Sequence, residues 1–191
     1  VGHLREVVTR FRKRRKTVIV SFAEHEADIL ANLLRNLVEL LYDGMPPRVS
    51  ESSDPLAELL DNDGPTSPPE DVVLQRLLPD AYKTDDQAAA EFRRFTERGL
   101  RAGKAADAKR VLTALEESPS VTGGITLGSD DQLAWLRALN DLRLAIGTRL
   151  GIEQDDYAVW ENLPADDPRR LTYDLYDWLG YLQSALLHNI H

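Results

Sequence analysis

The stretch Ser129-Asp130-Asp131-Gln132-Leu133-Ala134-Trp135-Leu136-Arg137-Ala138-Leu139-Asn140-Asp141-Leu142-Arg143-Leu144-Ala145-Ile146-Gly147-Thr148-Arg149-Leu150-Gly151 decides how this chain is read. Trp135, Leu139, Leu142, Ile146 and Leu150 recur at spacings of three and four and line one side of a helix, while Leu133, Leu136 and Leu144 widen the apolar surface. Ser129 and Gln132 stand at capping-box spacing at its start, and Gly151 supplies the stop. A helix so broadly apolar belongs at the centre of a helical protein.

Immediately before it, Gly123-Gly124-Ile125-Thr126-Leu127-Gly128 reads as a short strand between turns. One strand cannot satisfy its own backbone groups, so it is paired with the β-branched run Thr17-Val18-Ile19-Val20-Ser21-Phe22. After the central helix, a last helix from about Arg169 to His188 buries Leu171, Leu175, Trp178, Leu182 and Leu186. Towards the N-terminus, Ser21 and Glu24 stand at capping-box spacing ahead of a helix reaching Tyr42, with Ile29, Leu30, Leu33, Leu34, Leu37, Leu40 and Leu41 as one stripe. Asp71 to Pro79 predicts a short helix stopped near the proline. From Asp85 to Arg101 a helix carries Ala88, Phe92, Phe95 and Gly99 on one side and Arg94, Arg98 and Arg101 opposite Phe92. A break at Gly103 then leads to a second helix over Ala105 to Glu117, with Val111, Leu112 and Leu115 inward, which makes a helical hairpin. Between Asp43 and Asp71, prolines, serines and acids predict a mobile acidic loop, in which Asp54-Pro55-Leu56-Ala57-Glu58-Leu59-Leu60 forms a short helix capped by Asp54.

With 191 residues, 42% hydrophobic and 29% charged, the chain is long enough for a sizeable core and too apolar for wholesale disorder. No apolar run reaches the roughly 18 residues that span a bilayer, and the basic start lacks a signal-peptide apolar segment, which predicts a cytoplasmic protein. There is no cysteine, which excludes disulfide scaffolds, thiolate metal sites and cysteine nucleophiles. The net charge of −9 hides a split: Arg5, Arg10, Arg12, Lys13, Arg14, Arg15 and Lys16 crowd the first 16 residues against Glu6 alone, on a body that is correspondingly more acidic. That asymmetry is expected of a polyanion-binding tail, or of a tail that folds back on its own body. A second basic region carries Arg93, Arg94, Arg98, Arg101, Lys104, Lys109 and Arg110 against Glu91, Glu97 and Asp107.

Few motifs carry chemistry. Gly99-Leu100-Arg101-Ala102-Gly103-Lys104 misses the phosphate-loop spacing by one residue, follows a helix and has Ala105 where the magnesium-binding hydroxyl belongs. His188 and His191 lack further ligands for a metal, and His25 faces solvent in a first helical turn. Asp155-Asp156 and Asp166-Asp167 read as solvated turn acids, and neither a Gly-x-Ser-x-Gly elbow nor a His-Glu-x-x-His pair occurs, so no enzyme is expected. In the central helix, Arg137, Asn140, Asp141 and Arg143 form a candidate structural network. In it Arg137 pairs with Asp141, and Asn140 and Arg143 reach loop groups near residues 155–174.

Four strings, Leu77-Leu78-Pro79-Asp80-Ala81-Tyr82, Glu91-Phe92-Arg93-Arg94-Phe95-Thr96, Trp135 to Ala145 and Trp178-Leu179-Gly180-Tyr181-Leu182-Gln183, resemble the AosR-type family of actinomycete proteins, long filed as a domain of unknown function. The resemblance runs from about Arg10 to Leu187, and Asn140-Asp141-Leu142-Arg143-Leu144 is its most specific part; residues 1–9 precede the family's usual start. It implies a cytoplasmic regulator of the oxidative-stress response acting on transcription, with a thiol pair proposed as sensor in some members. Without cysteine, that sensor cannot be carried over.

The expectation is therefore a mostly α protein, a single-domain helical bundle over 17–191 with a two-stranded β element (Thr17–Phe22 with Ile125–Leu127). An acidic proline-rich loop lies at 43–71 and a basic arm at 1–16. Candidate nucleic-acid-binding residues are Arg10, Arg12, Lys13, Arg14, Arg15 and Lys16, with Arg94, Arg98 and Arg101 as a second surface. The expected partners are a protein of the transcription machinery, with DNA through the arm, and no membrane, metal or cofactor. The alternative is an acidic adaptor or scaffold serving the proteolysis machinery without touching nucleic acid.

Overall fold

The computed structural model describes residues 9–45, 64–82, 84–153 and 157–190. The helix expected over Asp54–Leu60, the pair Asp155-Asp156 and His191 lie outside them. Three short strands, β1 (Arg10–Arg14), β2 (Thr17–Ser21) and β3 (Ile125–Leu127), form an antiparallel sheet in the order β1-β2-β3. The expected pairing is present, with Val18 opposite Leu127 and Val20 opposite Ile125, and the sheet has one strand more than expected. That strand comes from the basic run: Arg10 to Arg14 pair with Ser21 to Thr17, so this part of the expected arm is the sheet's edge. Side chains alternate across a sheet, so Phe11, Val18, Val20, Ile125 and Leu127 share the face that packs on the helices.

Six helices follow among the described residues: α1 (Glu24–Tyr42), α2 (Val72–Leu77), α3 (Asp86–Glu116), α4 (Ser129–Leu150), α5 (Tyr157–Glu161) and α6 (Arg170–Ile190). The protein is mostly α, and α4 is its central helix, packed against α2, α3 and α6, while α1 lies along α3. Trp135, 0% exposed, stacks on Phe22 at 5.8 Å between ring centroids and so ties α4 to the end of β2. Leu139 and Leu142 continue that buried face, as do Leu30, Leu34, Leu37 and Leu41 of α1 and Trp178, Leu182 and Leu186 of α6. Leu133 and Leu171, expected inside, are exposed: Leu133 is on the side of α4 turned away from the buried Gln132, Ala134 and Trp135, and Leu171 sits in the first turn of α6.

Both capping boxes are shifted from the expected ones, that of α1 two residues downstream and that of α4 one residue upstream. The Glu26 carboxylate, not Glu24, accepts from the Ala23 N–H at 2.9 Å, and Asp131 rather than Gln132 accepts from the Gly128 N–H at 3.1 Å. Gly151, with φ of 73°, ends α4 in the left-handed conformation as expected.

The expected helical hairpin is one continuous 31-residue helix, α3, running through Gly99 and Gly103. It also faces the other way. Arg93, Glu97 and Arg101 point inward, in line with Ala105, Ala108, Val111 and Leu115, while Phe92 and Phe95 are exposed. One stripe of the helix is thus charged in its first half and apolar in its second. It packs throughout because Glu97 lies between two arginines at i,i+4 spacing, its Oε2 accepting from Arg93 at 2.9 Å and its Oε1 from Arg101 at 2.9 Å. Arg93 also pairs with Asp80, and Arg101 donates to the Leu41 and Asp43 carbonyls at 3.0 and 3.2 Å. Those carbonyls are acceptors at the end of α1 with no other partner among the described residues, where a cation also opposes the helix dipole.

Candidate nucleic-acid interface

The basic hairpin is built on a strand alternation. Phe11 points into the core, so Arg10, Arg12 and Arg14 project from the opposite, outer face beside Ile19 and Thr126, at about 6.6–6.8 Å intervals along the strand. Lys13 stands on the inner side, opposite Val18 at the sheet edge. Arg15 and Lys16 make the turn. Arg15 adopts a left-handed φ of 56°, a position that favours glycine or asparagine. The turn is tied down by Thr17 Oγ1 donating to the Arg14 carbonyl at 2.9 Å and by Gln132 Nε2 of α4 donating to the Lys16 carbonyl at 3.3 Å. The other end of β1 is held by Tyr181 of α6, whose hydroxyl donates to the Thr9 carbonyl at 3.1 Å, and by Thr9 Oγ1 donating to Glu26 at 2.9 Å.

Within this rigid frame the side chains of Arg10, Arg12, Lys13, Arg14, Arg15 and Lys16 are all exposed and make no hydrogen bond or ion pair among the described residues. The second basic region is the opposite case. Arg93 and Arg101 close on Glu97, Lys104 on Asp141 at 2.7 Å and Arg110 on Asp131 at 2.6 Å, while Lys109 covers the Tyr42 ring at 4.8 Å. Arg101 is 5% exposed and cannot meet a phosphate backbone, which corrects its assignment to a binding surface. Arg94 and Arg98 are half-buried and engaged, Arg94 with its guanidinium 6.0 Å from the Phe95 ring.

The candidate polar network of α4 is three separate links. Asp141 pairs with Lys104, not Arg137, and Arg137 reaches Asp107 of α3 at 3.7 Å. Burial pushes the Asp141 carboxyl above the usual carboxylate range, and the hydrogen bond from Lys104 offsets only part of that. Asn140 is exposed. Arg143 donates to Gln183 Oε1 at 3.1 Å and Tyr176 Oη at 3.2 Å and lies over the Tyr176 ring, so its partners are side chains of α6 rather than loop groups. At Asp167, two bonds from Arg169 and a backbone N–H hold the carboxyl down to about 2.

Sequence reasoning missed the depression beside the arginine row. It opens on the outer face between β1, the first turn of α1 and the turn before β3, with Arg10, Arg12, Ser21, His25 and Thr122 around it. Gly124 permits its floor: with φ of 111°, a Cβ there would lie 2.6 Å from Ile19 Cγ2. The glycine pair was legible as a turn, but its closeness to Ile19 depends on the β2–β3 register. Among the described residues no group of three or more His, Asp or Glu side chains gathers as a metal site, and no helix is long and apolar enough to cross a membrane.

Compared with known proteins, residues 8–190 match a family described as a domain of unknown function, DUF2017. Proteins named oxidative stress regulator AosR from Mycobacterium tuberculosis and Mycobacterium bovis are each 36% identical over 179 residues, covering 87% of this chain and 79% of their own length. No solved structure matches.

Proposed function

Because this chain belongs to the DUF2017 family, whose mycobacterial relatives are named oxidative stress regulators, we propose that it regulates the oxidative-stress response at the level of transcription, contacting nucleic acid through the outer face of its sheet. A single observation carries the contact: on a chain of net charge −9, the cations of one hairpin have no carboxylate partner among the described residues, whereas most of those of α3 do. Unpaired lysine and arginine side chains release counterions from a phosphate backbone, and this supplies affinity without reading sequence. The arginine row, exposed and without Asn or Gln in the strands beside it, supplies mainly backbone contact. Promoter choice therefore falls to a protein partner in the transcription machinery. In this reading the protein works in the cytoplasm, performs no catalysis and senses its signal without a thiol.

The test is a fluorescence anisotropy titration of labelled duplex DNA at low salt. Binding that weakens steeply with added salt is expected, and no binding at low salt overturns the direct contact.

A second reading, an acidic protein-binding adaptor, is favoured by Tyr82, Phe92, Phe95 and Leu100, which are exposed on and beside α3, Phe95 to 62%. A pull-down from cell extract with and without nuclease separates the two readings. Transcription proteins retained after nuclease favour the regulator, and proteolysis or translation factors in their place favour the adaptor.

A further inference from the structure

We propose that the depression at the Arg10–Arg12 end of the sheet is a binding site for a small phosphorylated molecule of nucleotide size. The inference rests on the same assignment of the outer face to phosphate and adds a soluble ligand to it.

The depression is half-open to solvent, spans about 1010 Å³, against the roughly 300–1,000 Å³ typical of ligand pockets, and is walled by β1, the first turn of α1 and the Thr122–Gly123 turn. Its floor is apolar but narrow: Ile19 keeps 9% of its surface open there, over Phe22, which is closed off beneath it on Trp135. That strip gives an apolar contact for the edge of a base or sugar and offers nothing to a bare inorganic ion. Arg10 and Arg12 stand on the same face one pleat apart, about 6.6–6.8 Å, and each planar fork can grip phosphate oxygens with two parallel hydrogen bonds. Neither has a carboxylate partner among the described residues to release first. Glu24 is the acid among the described residues on the rim, and it fixes polarity: it repels a second phosphate there and accepts from a hydroxyl or amino group. The lining thus has an anion end, an apolar bed and an acceptor end, which is the pattern of a nucleotide rather than of free phosphate. A ligand so held neutralises two of the arginines of the row and competes with nucleic acid for the face. In that way a cysteine-free regulator receives a chemical signal.

The test uses isothermal calorimetry and thermal unfolding of the full chain with each of the four ribonucleoside diphosphates, with inorganic phosphate, and with sodium chloride at matched ionic strength. At least one diphosphate should bind and raise Tm by about 5 °C or more at a hundredfold excess over its Kd, and phosphate alone should do much less. Arg12→Lys keeps the charge and loses the fork, and should weaken that binding about tenfold. Lys13→Ala removes the same charge as Arg12→Ala from the other side of β1 and should change it less than twofold. No shift beyond the salt control overturns the site, and so does equal weakening by Lys13→Ala and Arg12→Ala, which is diffuse charge alone. Duplex binding without diphosphate binding sinks this inference and leaves the nucleic-acid reading standing. Diphosphate binding without duplex binding supports the site and removes that reading.

Discussion

Gly124 and the glycines of α3 carry opposite expectations. At Gly124 the backbone is in a conformation that L side chains rarely adopt, and Ile19 occupies the space of a Cβ, so Gly124→Ala should cost about 2–3 kcal/mol. Gly99 and Gly103 are helical and exposed, and a Cβ at either meets nothing within 4 Å, so alanine at each should stabilise by about 0.5–1 kcal/mol. Urea midpoints of the three variants check both signs. Arg15 is a third case. Its left-handed φ of 56° costs about 1–2 kcal/mol for a residue with a Cβ, partly offset by glycine's greater entropy when unfolded. Arg15→Gly should therefore leave stability unchanged or higher while weakening nucleic-acid binding, the pattern of strain kept at a functional position. At Asp141, burial raises the carboxyl pKa, so the folded state holds that proton more tightly than the unfolded one. The stabilisation is full below the unfolded carboxylate pKa of about 3.9 and is lost as pH rises through the raised folded value. The stability of wild type relative to Asp141→Asn, followed by urea unfolding, should fall as pH rises through that window; a rise would contradict the assignment.

Among the elements, α1, α4 and α6 were legible because each has one broad apolar stripe that no other pattern contests. Trp135 is the clearest consequence: fully buried against Phe22, its truncation to alanine should cost about 3–5 kcal/mol, and an unchanged denaturant midpoint would show that this face of α4 is not core. Helix α3 was not legible in the same way. Phe92 and Phe95 weigh heavily in any apolar count, whereas Arg93, Glu97 and Arg101 enter such a count as solvent-facing, although their i,i+4 spacing lets them satisfy one another inside. Removing one member exposes the difference: Glu97→Gln leaves two buried arginines facing a neutral group and should cost about 3–5 kcal/mol. Strand β1 was hidden for a related reason, since Arg10 to Arg14 lack the β-branched residues that mark strands. A charged edge strand is nonetheless a common device against unwanted strand pairing.

At the scale of the whole molecule, composition located the basic residues but not their partners. The run at Arg10 to Lys16 and the run at Arg93 to Arg110 look alike as charge counts. Folding joins most of the second to Glu97, Asp131 and Asp141 and leaves the first without partners among the described residues. What sequence could not supply was the division of the hairpin into faces, which places Arg10, Arg12 and Arg14 together and Lys13 apart. Counting Arg15 and Lys16 at the turn, five cations without a partner among the described residues stand ready to meet phosphates on the outer side. The most direct measurement is the dependence of duplex DNA affinity on salt, for wild type and for the Arg12→Ala/Arg14→Ala/Arg15→Ala variant. Five phosphate contacts predict a slope of log affinity against log salt of about −4 to −5, and two remaining contacts predict about −2. The same slope in both proteins would mean that the hairpin does not carry the contact.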